Sequence, residues 1–191
     1  ETITTEITSF KNKLHALSRM NIDSKVIVTG YKKILRELQA ELKKFEVELY
    51  KKLEAWQPAM VKQVKRVVGI GKRATAILIV ATQGFRYTET YQQLISYSGM
   101  SPKEYSSGSS IRGKVRICKQ VGSLLRHTLY MCALNAKSTN GACKELFDRL
   151  VAKGKNKKLA IIAVANKLLK QVFGVVKNEC LFDRNYYKKI A

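Results

Sequence analysis

The chain has 191 residues, 46% of them apolar, with 36 basic side chains against 14 acidic ones and a formal net charge of +22. That length fits one or two domains of the usual ~100–200 residues, and a field this positive draws polyanions, chiefly nucleic acid or an anionic membrane surface. The longest uninterrupted apolar run, residues 159–165, falls far short of the ~20 residues of a membrane helix, so no membrane partner is expected.

No secretory signal pattern follows Glu1. The four cysteines, Cys118, Cys132, Cys143 and Cys180, show no CxxC spacing, and the two histidines, His15 and His127, lie far apart. The expectation is a reduced, cytoplasmic protein without a structural zinc site.

In chain order, residues 1–20 read as a helix with Phe10, Leu14 and Leu17 on one stripe. Asn21, Asp23 and Ser24 then interrupt the pattern as turn or cap residues. A long helix comes next, over about 25–56. Tyr31, Leu35, Leu38, Leu42, Phe45, Leu49, Leu53 and Trp56 recur at heptad spacing with one stutter, and Glu37, Glu41, Lys43, Lys44, Glu46 and Lys51 cover the other faces. Sustained heptads with charged flanks predict a coiled coil and a homodimer, the alternative being packing within the chain. Pro58 ends the helix.

The remainder reads as a compact helical domain, giving an expected division into 1–58 and 59–191. Its segments break at Gly69–Gly71, Gly84, a serine-rich stretch, residues 138–141 and residues 152–158. The last long helix, about 157–177, places Ile161, Ala165, Leu168, Val172 and Val176 on a core side and Lys167, Lys170 and Lys177 opposite them. A short strand pair fits between Tyr105 and Arg116. The fold class is all-α. Charge is lopsided: residues 1–61 carry 11 basic and 8 acidic side chains, residues 62–191 carry 25 and 6. A polyanion therefore meets the second part.

Two stretches carry chemistry. In residues 64–81, VKRVVGIGKRATAILIVA, Val64, Val67 and Val68 finish one helix, Gly69, Ile70 and Gly71 turn, and Lys72 and Arg73 open the next. This is the pattern of a helix-hairpin-helix element. Glycines permit the turn and close approach, N–H groups at the second helix's start face a phosphate, and Lys65, Arg66, Lys72 and Arg73 add charge. Ile70 is the expected core peg. Such contacts position a nucleic-acid backbone without reading bases. The bland alternative is a glycine turn between two core helices.

The second stretch, EYSSGSSIRGKVRICK at residues 104–119, gathers serines among Lys103, Arg112, Lys114, Arg116 and Lys119, with Arg126 beyond. A serine hydroxyl is a poor nucleophile without activation, phosphoryl transfer needs cations around the developing charge, and no histidine or carboxylate is an obvious base. By composition alone such a loop reads as a connector. Lys155, Lys157 and Lys158, in KGKNKK, read either as a solvated turn or as phosphate contacts.

In order and spacing, GIGKRATA, FRYTETYQQLISYSGMSP, YSSG, the LR-ending segment from Lys119 to Arg126, and ACKELFDRL with KGKNKKLAIIAVANKLLKQVF resemble the C-terminal part of transposases of the IS110 family and its IS1111 branch. The resemblance covers residues 10–187. It implies a coiled coil followed by a helical domain whose serine attacks DNA, a bridge-type guide RNA as partner, and Mg2+ held by acidic residues of an N-terminal RuvC-like domain. No such acidic set is visible here, so a fragment without the metal-binding half is expected, inactive alone. Carried over, the nucleophile is Ser107, ahead of Gly108, with Ser106 as fallback; Lys119 and Arg126 are the basic pair. The chain reads Lys119-Gln120-Val121-Gly122 where the family usually has Lys-x-Gly, which leaves the role of Gly122 open. The reading is thus part of a DNA transposase, the alternative a non-catalytic nucleic-acid-binding module.

Overall fold

A computed structural model of the chain describes residues 2–19, 25–103, 106–107, 111–112, 116–118 and 123–186. Its regular structure is eight helices and two very short antiparallel ladders among those residues. The chain divides into two compact units, residues 1–52 and 53–191.

In the first unit, helix α1 (Thr2–Arg19) precedes helix α2 (Lys25–Trp56). The Phe10 ring meets Tyr31 edge-on, with centroids 5.5 Å apart. Eighteen residues of helix reach about 27 Å, so α1 can line only the first part of α2. The seam changes character accordingly. Tyr31, Leu35, Leu38 and Leu42 are half-buried, while Phe45 is 54% exposed and Leu49 50%. The residues expected to face a partner helix therefore fall into two sets, of which only the second is open. Lys44–Glu41 and Lys52–Glu48 pair along the surface of α2 at 2.7 and 3.0 Å.

The division at Leu53 has a packing cause: Leu53 is buried and belongs to the second unit's core, so the last turn of α2 goes with that unit. Gln57 breaks the helix and Pro58 occupies the first turn of α3 (Pro58–Arg66). There a missing N–H costs nothing. Pro58 thus starts one helix as well as stopping another. Helices α4 (Lys72–Ala81), α5 (Tyr91–Tyr97), α6 (Ser123–Thr139), α7 (Gly141–Ala152) and α8 (Lys157–Lys177) complete the unit.

Caps account for most of the boundaries. Thr90 and Gln93 form a capping box at α5, and Asn140 and Asn156 accept N–H groups at α7 and α8. Four helix ends close with paired reverse bonds, at Gln83–Gly84, Gly99–Met100, Gly154–Lys155 and Glu179–Cys180. That closure needs one left-handed residue. Gly99 and Gly154 supply it without strain; Gln83 (φ 48°) and Glu179 (φ 49°) supply it at a cost of about 1 kcal/mol.

The core is α8, wrapped by α3, α5, α6 and α7. Ala160, Ile161, Val164, Ala165, Leu168, Leu169, Val172 and Val175 are all buried, a broader stripe than heptad reading foresees. By length and composition α8 is also apolar enough to cross a membrane. Counting uninterrupted runs misses this because Asn166 and Lys167 break the run. Its burial among four helices marks it as a core helix. The opposite side is not a free basic face either: Lys170 Nζ sits 4.3 Å from the Tyr91 ring centroid, tying α8 to α5.

The serine stretch departs from all-helical structure. β1 (Pro102–Lys103) pairs with β4 (Arg116–Ile117), and β2 (Ser106–Ser107) pairs with β3 (Ile111–Arg112), both antiparallel. The sequence suggests a single strand pair there; two nested ladders form it.

Candidate nucleic-acid interface

The glycine turn joins α3 to α4, which pack against each other, with two adjustments to the sequence reading. Helix α3 stops at Arg66, because Val67 is already extended (ψ 116°). Val67 and Val68 are turn residues, and the turn runs from Val67 to Gly71. Ile70 is 6% exposed and is the expected core peg. Lys65, Arg66, Lys72 and Arg73 are all exposed around the turn.

The two glycines do different things. Gly69 has φ +105°, and a Cβ there would come 2.6 Å from the Ala136 Cβ on α6. Its lack of a side chain serves helix packing, not ligand access. Gly71 has φ −89°, and a Cβ there would meet nothing within 4 Å. Gly71 opens toward solvent at the Cβ position. Its carbonyl accepts the first bond of α4, from the Thr75 N–H at 2.9 Å. Its own N–H faces the Cys132 thiol of α6 and pulls its pKa downward. No side chain caps α4, so the N–H groups beyond Gly71 are the ones placed for an anion.

The turn is fixed from behind by a residue that sequence reading missed. Asn140, 3% exposed, donates through Nδ2 to the Val68 carbonyl at 3.0 Å and to Gln171 Oε1 on α8 at 2.9 Å. It also caps α7. Its only sequence signal was a helix break before Gly141. Buried thiols fill the space behind. Burial pushes Cys132 up, with the Gly71 N–H pulling it back. Burial pushes Cys143 up to about 12 against the opposing pull of Lys167. Both are neutral packing groups; Cys118 is buried as well.

In front of the turn lies a cleft of about 570 Å³ whose walls include Lys65, Arg66, Gly69, Phe182 and Arg184. Phe182 and Arg184 come from the segment after α8, which sequence reading left without a role. Lys72 and Arg73 stand outside the cleft, on the other limb of the hairpin.

Helix α8 measures the distances between the other candidates. Gln171 holds the hairpin through Asn140. Asn166 donates to the Met100 carbonyl at 3.4 Å, just ahead of the serine stretch. These two positions are about 7.5 Å apart along the axis, whereas Lys157 lies about 21 Å from Gln171. Lys155, Lys157 and Lys158 are exposed at that far end and do not join the hairpin. At the root of the serine stretch, the Cys118 N–H donates to the Ser101 carbonyl at 2.8 Å. A Cβ on Gly99 would come 2.7 Å from the Cys118 carbonyl and 3.0 Å from Arg126 Nη1. Arg126 therefore lies at that root. The register sets Ser106 opposite Arg112 and Ser107 opposite Ile111. Ser106, Ser107, Arg112 and Arg116 are described as backbone only, and Lys114 and Lys119 lie outside the described residues.

Residues 61–148, from α3 to within α7, match the profile of the Transposase IS116/IS110/IS902 family. In these residues the chain is similar to that transposase family. The transposase match takes in the hairpin, the serine stretch and Arg126 as one continuous domain. Among relatives, a pilin gene-inverting protein of Moraxella bovis is 31% identical over 123 residues, 64% of this chain. A pilin gene-inverting protein of Moraxella lacunata is 30% identical over the same length. The insertion element IS110 43.6 kDa protein of Streptomyces coelicolor is 23% identical over 158 residues, 83% of the chain. The chain spans 38% of the length of each of these relatives. Among the described residues no group of three or more His, Cys, Asp or Glu side chains converges to hold a metal ion.

Proposed function

We propose that this chain is the nucleic-acid-binding and serine-bearing part of a DNA transposase. The observation that carries the reading is that one family match spans both the phosphate-type hairpin and the serine stretch, two features whose chemistries are complementary. The hairpin, with Lys65, Arg66, Lys72 and Arg73, grips DNA backbone. The Ser107 Oγ attacks a backbone phosphorus, the P–O3′ bond breaks, and the serine's proton passes to the departing 3′ oxygen through solvent. Attack by the 3′ hydroxyl of an exchanged strand reverses the step and frees the serine. Arg112, Lys114, Arg116, Lys119 and Arg126 stabilise the charge that builds on the phosphoryl oxygens. A guide RNA shares the basic surface, Lys155, Lys157 and Lys158 included, and two copies pair through α2. A cytoplasmic location suits a protein acting on intracellular DNA.

The test is covalent. The complete transposase with its guide RNA, Mg2+ and donor DNA forms a protein–DNA adduct that survives denaturant. Ser107→Ala abolishes the adduct and leaves binding intact. An adduct that persists in Ser107→Ala but vanishes in Ser106→Ala moves the nucleophile by one residue. An adduct persisting in both variants, or never forming, removes the nucleophile and leaves a binding module.

A further inference from the structure

We propose that the cleft between the hairpin turn and the segment after α8 seats one unstacked base of a single nucleic-acid strand, Phe182 lying against the base and Lys65, Arg66 and Arg184 holding the flanking phosphates. This rests on the reading of the unit as a nucleic-acid binder and adds to it a second mode of contact.

Phosphate contact by a hairpin needs cations and N–H groups, and no ring. Yet Phe182, half-exposed, lines the same cleft as three cations. The chain bends specifically to bring it there. At the end of α8, Glu179 takes a left-handed conformation (φ 49°), and the Cys180 N–H returns to the Val175 carbonyl at 3.1 Å, reversing the chain. Asp183 then organises the next turn: its Oδ1 accepts from the Asn185 N–H at 2.8 Å. Phe182 and Arg184, two residues apart, both reach the cleft. The opposite wall is rigid, since the Val68 carbonyl is held by Asn140 and Gly69 is seated on Ala136. A volume of about 570 Å³ falls within the ~300–1,000 Å³ of pockets that enclose a ligand group.

A duplex hides its base faces by stacking. Only an unpaired or extruded base offers a face to a ring. The charged side chains in the walls are all cationic, which favours phosphate on either side of the base. Stacking tolerates any base, so the cleft reads strandedness and not sequence.

Fluorescence anisotropy on the full chain tests this with a labelled single strand, a strand of equal length whose central nucleotides are abasic, and a duplex. Deoxy and ribo versions separate the two sources of strand. The expected result is tighter binding to the base-bearing strand than to the abasic one. Phe182→Leu, which keeps an apolar anchor, erases that preference by a factor of about five or more and leaves abasic and duplex binding unchanged. Arg184→Gln weakens both strands alike. Should Phe182→Leu misfold, 5-iodouracil at the strand's centre photo-crosslinks to Phe182 in the unaltered chain, mapped by mass spectrometry. Equal binding to base-bearing and abasic strands, an unaltered preference in Phe182→Leu, or a crosslink mapping away from Phe182 overturns the proposal while leaving the hairpin in place. No binding to any of the three removes both.

Discussion

At the residue scale, the two glycines of the hairpin separate packing from contact. Gly69 is locked by a positive φ and by Ala136. Replacing it with Ala combines left-handed strain with overpacking against α6, an expected loss of about 2–4 kcal/mol, measured by urea unfolding. Gly71 has ordinary φ and open space. Gly71→Ala is expected to leave the unfolding midpoint unchanged or slightly raised, yet to weaken DNA binding, because the new methyl would stand where we propose that a backbone phosphate approaches. An unfolding loss in Gly71→Ala, or unaltered binding, contradicts that division. Sequence reading gives both glycines one purpose. It sees the turn correctly, since a GxG between apolar helices flanked by cations is a local signal. It cannot see Ala136, 67 positions away in the chain, because packing across a fold has no local signature. Asn140 is missed for the same reason: its bonds to Val68 and Gln171 join residues 72 and 31 positions away.

At the scale of elements, α2 matches the sequence reading to the residue, because heptads, charged flanks and a following proline all act locally. The surface its seam faces is less legible. Its first half is lined near α1, where Phe10 meets Tyr31, and α1 is too short to reach further. Phe45, Val47 and Leu49, each at least half exposed, continue beyond it. A second copy's α2 is the partner we propose for that stretch, since it carries the same heptads and the same charged borders. Leu49→Asp is expected to convert a dimer to a monomer by multi-angle light scattering with helicity unchanged. A wild-type mass already monomeric, or one unmoved by the substitution, assigns the stretch to another partner. Helix α8 teaches the opposite lesson. Its ends are legible from Asn156 and Lys177, but its contact with four other helices is not, since a broad apolar helix and a one-faced amphipathic helix share the same core positions. The nested ladders around the serines are half-visible, as a Ser/Gly-rich stretch flanked by Ile111 and Ile117.

At the scale of the whole molecule, charge is the organising quantity. Residues 62–191 hold 25 basic side chains against 6 acidic ones, and α8 spaces their clusters along its length. The serine root and the hairpin are near neighbours on that ruler, and KGKNKK is not. The composition points to a polyanion, while only the fold sorts which cations lie together: Lys65 and Arg66 with Arg184, Lys72 and Arg73 on the second limb, Lys155 to Lys158 at the far end. The most direct test of that surface is the salt dependence of duplex binding, since each neutralised phosphate contributes a slope of about 0.9 in log K against log salt. The account predicts a steep slope for the unaltered chain and a slope shallower by about 2–3 when Lys65, Arg66, Lys72 and Arg73 are all changed to Gln. A flat dependence, or an identical slope in the fourfold variant, contradicts the assignment of the hairpin as the nucleic-acid grip.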